Sequence, residues 1–153
     1  MRILMHMLVV GSVVTYWLCL SRPGFYIGPH DFWTGFQILE GGWLAILAMQ
    51  PCWLANPILF LSWIAYLWKR TRFGILIAWG ALFFMLAFNL FSDVIRDEAG
   101  NRDPITALGS GYYFWLTSAG LACGASLIYL FTEYKRQQAA RKAMEPALRS
   151  NMN

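Results

Sequence analysis

The residues best suited to chemistry in this 153-residue chain are three cysteines, two histidines and a few serines. Thiol–disulfide enzymes, including those of membranes, use a reactive Cys-x-x-Cys pair, whereas Cys19, Cys52 and Cys123 stand apart in apolar runs. His30 has no second histidine or cysteine at metal-ligand spacing, and Ser110 lacks the surrounding pattern of a nucleophile elbow. The sequence therefore predicts no catalytic residue, no metal site and no cofactor, and a protein that is not an enzyme.

The composition predicts that apolar helices position whatever site exists. Hydrophobic residues make up 58% of the chain and charged residues only 13%, about half of what a soluble domain carries. Four apolar stretches reach the ~20 residues that cross a bilayer, at residues 3–20, 42–68, 73–91 and 112–132. We expect an all-α polytopic membrane protein, a bundle of four transmembrane helices in residues 1–133, followed by a basic cytoplasmic tail in residues 134–153.

The distribution of basic residues predicts the orientation. Nine of the twelve lysines and arginines lie at the N-terminus, between the second and third spans, or after the fourth. The other loops hold few, and these are mixed with acidic residues. The positive-inside bias places both termini in the cytoplasm. The net charge of +4 is explained by this orientation signal and by contact with lipid headgroups, so no nucleic-acid partner is expected.

The two loops on the outer side differ in character. Residues 21–41 contain five aromatic residues among glycines, which is typical of a segment lying in the headgroup layer; a ligand lid is the functional alternative. Residues 92–111 are the most polar stretch and lack calcium-loop spacing, which predicts a solvated turn, with recognition of an external molecule as the alternative.

The second span is the irregular one. Its 27 residues would make a helix of about 40 Å, longer than the membrane core, and Pro51 and Pro57 predict a kink or break between Gln50 and Asn56. The two amides either satisfy the freed backbone and bond a neighbouring helix, or line a small cavity. The candidate cavity residues are Gln50, Asn56, Pro57, Asn89, Tyr112 and Trp115.

The fourth span carries a small-residue face. Gly120 and Gly124 have the four-residue spacing that lets another helix approach closely, either inside the monomer or in a homo-oligomer. Cys19 and Cys52 are both expected toward the outer leaflet, which leaves open a disulfide between them, but buried free thiols that pack as small hydrophobic side chains are the better explanation of all three cysteines.

Four motifs resemble those of a family of small, four-span bacterial inner-membrane proteins of uncharacterised function. They are Trp43-Leu44, Trp53-Leu-Ala-Asn-Pro57, Lys69-Arg-Thr-Arg72 and Gly109-Ser-Gly-Tyr-Tyr-Phe-Trp-Leu-Thr-Ser118. The resemblance covers about residues 41–118 and implies the topology and a bacterial inner membrane. It implies no activity and no site residue.

Two functional hypotheses follow from these patterns. The first is a non-enzymatic accessory or protective, immunity-like protein that acts through contacts with a membrane-protein partner inside the lipid bilayer. The second is a binder or transport component for a small molecule or lipid, with its cavity at the broken second span. The two differ in what should co-purify with the chain, a protein or a small molecule.

Overall fold

The structure is a computed structural model that describes residues 2–28, 30–47, 49–68, 71–97 and 99–150. The basic pair Lys69-Arg70 and residues 151–153 of the predicted tail lie outside this range. The helices are α1 (Arg2–Leu20), α2 (Gly35–Gly41), α3 (Leu44–Leu47), α4 (Ala55–Leu67), α5 (Thr71–Ala87) and α6 (Ser110–Ser150), with 3₁₀ turns at Pro51–Leu54 and Phe88–Leu90. The strands are β1 (Pro23–Tyr26), β2 (Phe32–Thr34), β3 (Asp93–Ile95), β4 (Arg102–Pro104) and β5 (Ala107–Leu108).

The all-α prediction is wrong, because the two loops predicted to lie on the outer side fold into small antiparallel sheets. Strands β2, β1 and β5 form one sheet, in which Phe25 of β1 pairs with Trp33 on one side and with Leu108 on the other. Strands β3 and β4 form a separate hairpin. Backbone N–H and C=O groups need partners when they are packed against apolar side chains, and pairing as strands supplies those partners. We call the two sheets together with α2 the cap.

Four full-length spans are not found either. Among the described residues, three helices are long and apolar enough to cross a membrane, at Ile3–Leu20, Phe73–Leu90 and Ser110–Lys142. The predicted second span is divided into α3, a 3₁₀ turn and α4. Helix α4 has 13 residues and is about 20 Å long, short of a hydrocarbon core of ~30 Å.

Pro51 explains where the second segment breaks. A proline disfavours helical geometry in the residue before it, and Gln50 has φ −109° and ψ 80°. Met49 has a left-handed φ of 61°, so neither Met49 nor Gln50 is helical, and the helical path resumes at Pro51. Pro57 lies in the first turn of α4, where its missing N–H has little cost, and it does not break the helix.

The helices pack through small and polar contacts. Helix α1 packs on α6, and α5 packs on both α4 and α6. The buried core between them includes Leu59, Met85 and several alanines. Outward-facing side chains are large and apolar on α1, α4, α5 and α6, for example Val10, Leu61, Leu76, Phe83 and Leu127. A surface of this kind is stable when lipid covers it.

The cap lies at one end of the helices. Helix α1 runs directly into β1, and β5 runs directly into α6. The start of α4 and the 3₁₀ turn after α5 are at the same end, since Asn56 and Phe88 line one cavity with cap residues. The N-terminus and the polar part of α6 are therefore at the opposite end. Helix α6 continues through Pro146 to Ser150.

Candidate functional site

A cavity of about 80 Å³ lies where the cap, the broken second segment and the helices meet. Its wall is mostly apolar and aromatic, and no charged side chain lines it among the described residues. Residues from α1, the cap, the 3₁₀ turns and α6 contribute, including Cys19, Phe25, Trp33, Ile38, Cys52, Trp53, Phe88, Tyr112 and Trp115. Apolar cavities with a few fixed polar groups are the usual form of small-molecule sites.

Asn56 is the central polar residue of the wall. Its side chain is 4% exposed, and its Oδ1 accepts hydrogen bonds from the Tyr16 hydroxyl at 3.1 Å and from Trp115 Nε1 at 2.8 Å. An indole N–H can only donate, so the atom that faces Trp115 must be the amide oxygen. Helices α1 and α6 thereby fix both the position and the orientation of an amide on α4.

Gln50 fixes the broken segment to the cap. It is 6% exposed, and its Nε2 donates to the backbone carbonyl of Asp93 at 3.0 Å and to Asp93 Oδ1 at 3.3 Å. A carbonyl can only accept, which sets the orientation of this amide as well. Asp93 Oδ1 also accepts a hydrogen bond from Arg102 Nη1 at 2.8 Å. The edge of the cavity is thus linked to the charged hairpin above it.

Tyr112 links α6 to α5 beside the cavity. Its hydroxyl donates to the Met85 carbonyl at 3.2 Å and accepts a hydrogen bond from Asn89 Nδ2. Asn89 is itself exposed and also donates to the Leu86 carbonyl at 3.0 Å. These bonds hold the Tyr112 ring against Phe88 and Trp115, at centroid distances of 5.9 Å and 6.2 Å.

The structure brings together four of the six candidate cavity residues. Gln50, Asn56, Tyr112 and Trp115 line the cavity, whereas Pro57 and Asn89 do not. Pro57 lies in the first turn of α4, and Asn89 reaches the cavity only through Tyr112.

The two glycines proposed for helix packing have different surroundings. A Cβ on Gly124 would approach Leu8 of α1 at 3.7 Å, so Gly124 faces the α1–α6 contact inside the monomer. Gly120 is exposed, and a Cβ there would meet nothing within 4 Å. The contact between α1 and α6 is instead centred on Ser12 and Ser118, which are both fully buried.

Several residues of the site carry no sequence signal. Tyr16 lies in a continuous apolar run, and its role depends on Asn56, which is 40 residues away. Phe25 and Trp33 become part of the wall only because β1 pairs with β2. Gly35 lines the cavity where the chain passes the carbonyl of Cys19, too closely for a Cβ. A clustering of aromatic residues in residues 21–41 was the available signal, and it indicated a membrane interface.

The cysteines are free thiols in the structure, and all three are buried. Cys19 and Cys52 both line the cavity, so they add soft apolar surface to its wall. No group of three or more metal-ligating side chains is found within the described part of the chain. The groups that the cavity does offer are amide, phenol and indole hydrogen-bonding atoms on an apolar wall, which suit binding of an uncharged molecule.

Comparisons of this chain with family models, with curated proteins and with solved structures found no match.

Proposed function

We propose that this chain is an integral membrane protein that binds a small, mainly apolar molecule in the cavity beneath the cap. The observation that supports this most directly is the double anchoring of Asn56. Two side chains from two other helices hold one amide against an apolar cavity. Burying such a polar network inside a membrane protein costs free energy, so its presence favours a role in recognising a ligand. An apolar wall would have closed the same space more simply.

We also propose the orientation that the charges predict, with the cap outside and the tail in the cytoplasm of a bacterial inner membrane. The tail carries Lys135, Arg136, Arg141 and Lys142 at the end opposite the cap. The cap carries Asp93, Asp97 and Asp103, two of them paired with arginines at 2.8 Å and 3.9 Å. This asymmetry agrees with the positive-inside rule. In that orientation the cavity is near the outer headgroup layer, within reach of lipids and of small molecules from outside.

The accessory or protective role is the competing proposal, and it would use lipid-facing surfaces such as the exposed face of α6 around Gly120. Contact with lipid alone also requires exposed apolar surfaces, so these surfaces favour neither the accessory role nor ligand binding. The cavity favours ligand binding specifically.

The experiment that tests the proposal is native mass spectrometry of the protein purified in mild detergent, with a matched pair of variants. Ala45→Leu adds a larger side chain at a cavity-lining position, and Ala139→Leu makes the same change on the exposed part of α6. We expect the wild type and Ala139→Leu to retain one molecule of an apolar compound per chain, and Ala45→Leu to lose it.

Two results would count against ligand binding. One is equal retention by Ala45→Leu, which would place the bound compound elsewhere. The other is a stoichiometric protein partner with no retained small molecule, which would favour the accessory role.

A further inference from the structure

The two amides in the cavity wall each keep one polar group that no described group of the protein pairs with. Asn56 Oδ1 takes both bonds from Tyr16 and Trp115, and no described group accepts a hydrogen bond from Asn56 Nδ2. Gln50 Nε2 is directed to Asp93, and no described group donates to Gln50 Oε1. Both side chains are more than nine-tenths buried, and both line the cavity.

Neither of these atoms is sealed inside the protein. The buried side-chain atoms that lack any partner among the described residues are the Tyr66 hydroxyl and Asp103 Oδ2. Asn56 Nδ2 and Gln50 Oε1 are not among them, so each retains accessible surface. For two residues that line the same cavity, that surface is where a ligand would meet them.

The orientation of each amide is determined by a partner group that can only donate or only accept a hydrogen bond. Trp115 can only donate and the Asp93 carbonyl can only accept, so rotating either amide by a half-turn would break the observed bonds. The cavity therefore presents a donor at Asn56 and an acceptor at Gln50. Two other polar groups of the wall are bonded within the protein: the Tyr112 hydroxyl both donates and accepts, and Trp53 Nε1 donates to the Leu39 carbonyl at 3.0 Å.

We infer that the cavity selects an uncharged amphiphile whose polar end is a hydroxyl group, with Asn56 Nδ2 donating to that group and Gln50 Oε1 accepting from it. The inference rests on the proposed function, since it specifies the chemistry of the ligand that the cavity holds. A hydroxyl is the smallest group that both accepts and donates. A carboxylate or ammonium ligand is disfavoured, because no described lining residue carries a balancing charge and burial of an unpaired ion is costly.

The test is a ligand series on the wild-type protein in detergent, followed by fluorine NMR. The probes share a trifluoromethyl-tagged butyl chain. They end in a hydroxyl, a methyl ether or a carboxylate, and the fourth probe is the alkane, which has no polar end group. We expect a saturable bound signal for the alcohol and roughly tenfold weaker binding for the alkane, because the alkane leaves both amides unpaired. The ether should be intermediate, since it accepts from Asn56 but donates nothing to Gln50.

A near-isosteric variant, Asn56→Asp, tests the role of Asn56 directly. It keeps an oxygen for Tyr16 and Trp115 but replaces the donor with a second oxygen. It should weaken the methyl ether, which can only accept, by about tenfold relative to the alcohol, whose hydroxyl can donate to the new oxygen. The wild-type series does not depend on this variant folding.

The outcomes separate the inference from the proposed function. If no probe gives a saturable bound signal, the binding function itself is wrong. If the alkane binds as tightly as the alcohol, the cavity binds ligands but the hydroxyl assignment is wrong, and the same holds if the carboxylate binds most tightly. Competition of the alcohol probe by monoolein would show that the hydroxyl comes from a bilayer lipid, and binding of the alcohol without such competition would show a water-soluble source.

Discussion

Ser12 and Ser118 each donate a hydrogen bond to the other's backbone carbonyl, from Ser12 Oγ at 2.8 Å and from Ser118 Oγ at 2.7 Å. Both residues are fully buried, and Trp63 Nε1 of α4 adds a third bond to Ser12 Oγ at 3.0 Å. The pair joins α1 to α6 across 106 residues of sequence, and Trp63 adds α4. Small hydroxyl residues allow helices in lipid to approach closely and to bond directly.

Replacing Ser12 with alanine should destabilise the protein more than replacing Ser118. Ser12→Ala removes the acceptor of Trp63 and leaves the indole N–H of this partly buried residue unpaired, at about 1–3 kcal/mol, whereas Ser118→Ala should cost about 1 kcal/mol. The measurement is the free energy of unfolding in mixed detergent. Thr117→Ala is the matched control, because its exposed hydroxyl bonds only within α6, to the Tyr113 carbonyl. Equal costs for the two serine variants would contradict the role given to Trp63.

Removing the Asn56 amide should cost more than removing either of its partners. Asn56→Leu leaves the Tyr16 hydroxyl and Trp115 Nε1 without an acceptor, which we expect to lower the free energy of unfolding by about 2–4 kcal/mol. Tyr16→Phe leaves Trp115 to satisfy the amide oxygen and should cost about 1 kcal/mol. Tyr113→Phe, at an exposed tyrosine of α6, is the control and should have almost no effect. A greater loss for Tyr16→Phe than for Asn56→Leu would show that the Tyr16 hydroxyl has a role other than its bond to Asn56.

A methyl group at Gly109 should separate the cap from α6. Gly109 precedes α6 and donates to the Gly24 carbonyl at 2.9 Å, and a Cβ there would clash with the backbone carbonyl of Pro23. Since backbone cannot move aside cheaply, Gly109→Ala should lower stability by about 1–3 kcal/mol.

Hydrogen exchange provides the readout for this variant. The amides of β1 and β5 should exchange faster in Gly109→Ala than in the wild type, while those in the middle of α1 should not change. Gly41→Ala is the control, because a Cβ at Gly41 meets nothing within 4 Å. Unchanged exchange in β1 would show that the strand pairing does not depend on this close approach.

The hairpin of the cap should respond to acid through Asp97. The side chain of Asn101 lowers the pKa of Asp97, with help from backbone N–H groups and a smaller attraction from Arg96; Asn101 Nδ2 donates to Asp97 Oδ2 at 2.8 Å. Because the pKa of Asp97 is lower in the folded state than in the unfolded state, the ionised carboxylate stabilises the turn at pH values above the ordinary carboxyl range. This stabilisation is lost as the pH falls through the depressed pKa. The hairpin should therefore loosen only in strong acid.

The measurement is a carboxyl-carbon NMR titration of Asp97 in detergent. Asn101→Ala should raise the pKa of Asp97 part of the way to its ordinary value, because the backbone N–H of residue 101 still donates to Oδ1. Gln138→Ala, in the exposed tail, should leave the titration unchanged. A titration that does not respond to Asn101→Ala would show that the amide is not what lowers the pKa.

The sequence by itself determined the apolar helices and a break beside Pro51. Runs of apolar residues are local properties, so α1, α5 and α6 follow from them directly. Pro51 acts on Gln50, its immediate neighbour, and a break at this point follows from that local restriction. The same local reasoning overestimated the second span, because hydropathy does not register that Met49 and Gln50 leave helical geometry.

Tertiary structure alone decided the cap, the cavity and the partners of the amides. Strands of two to four residues are too short to show an alternating pattern, and β1 finds β5 about 80 residues away. Gln50 and Asn56 were identifiable as polar residues beside prolines, but their partners Asp93, Tyr16 and Trp115 come from three other elements. Side-chain hydrogen bonds over such separations depend on how the helices are rotated against one another, and that rotation is set by packing throughout the molecule and not by any single segment.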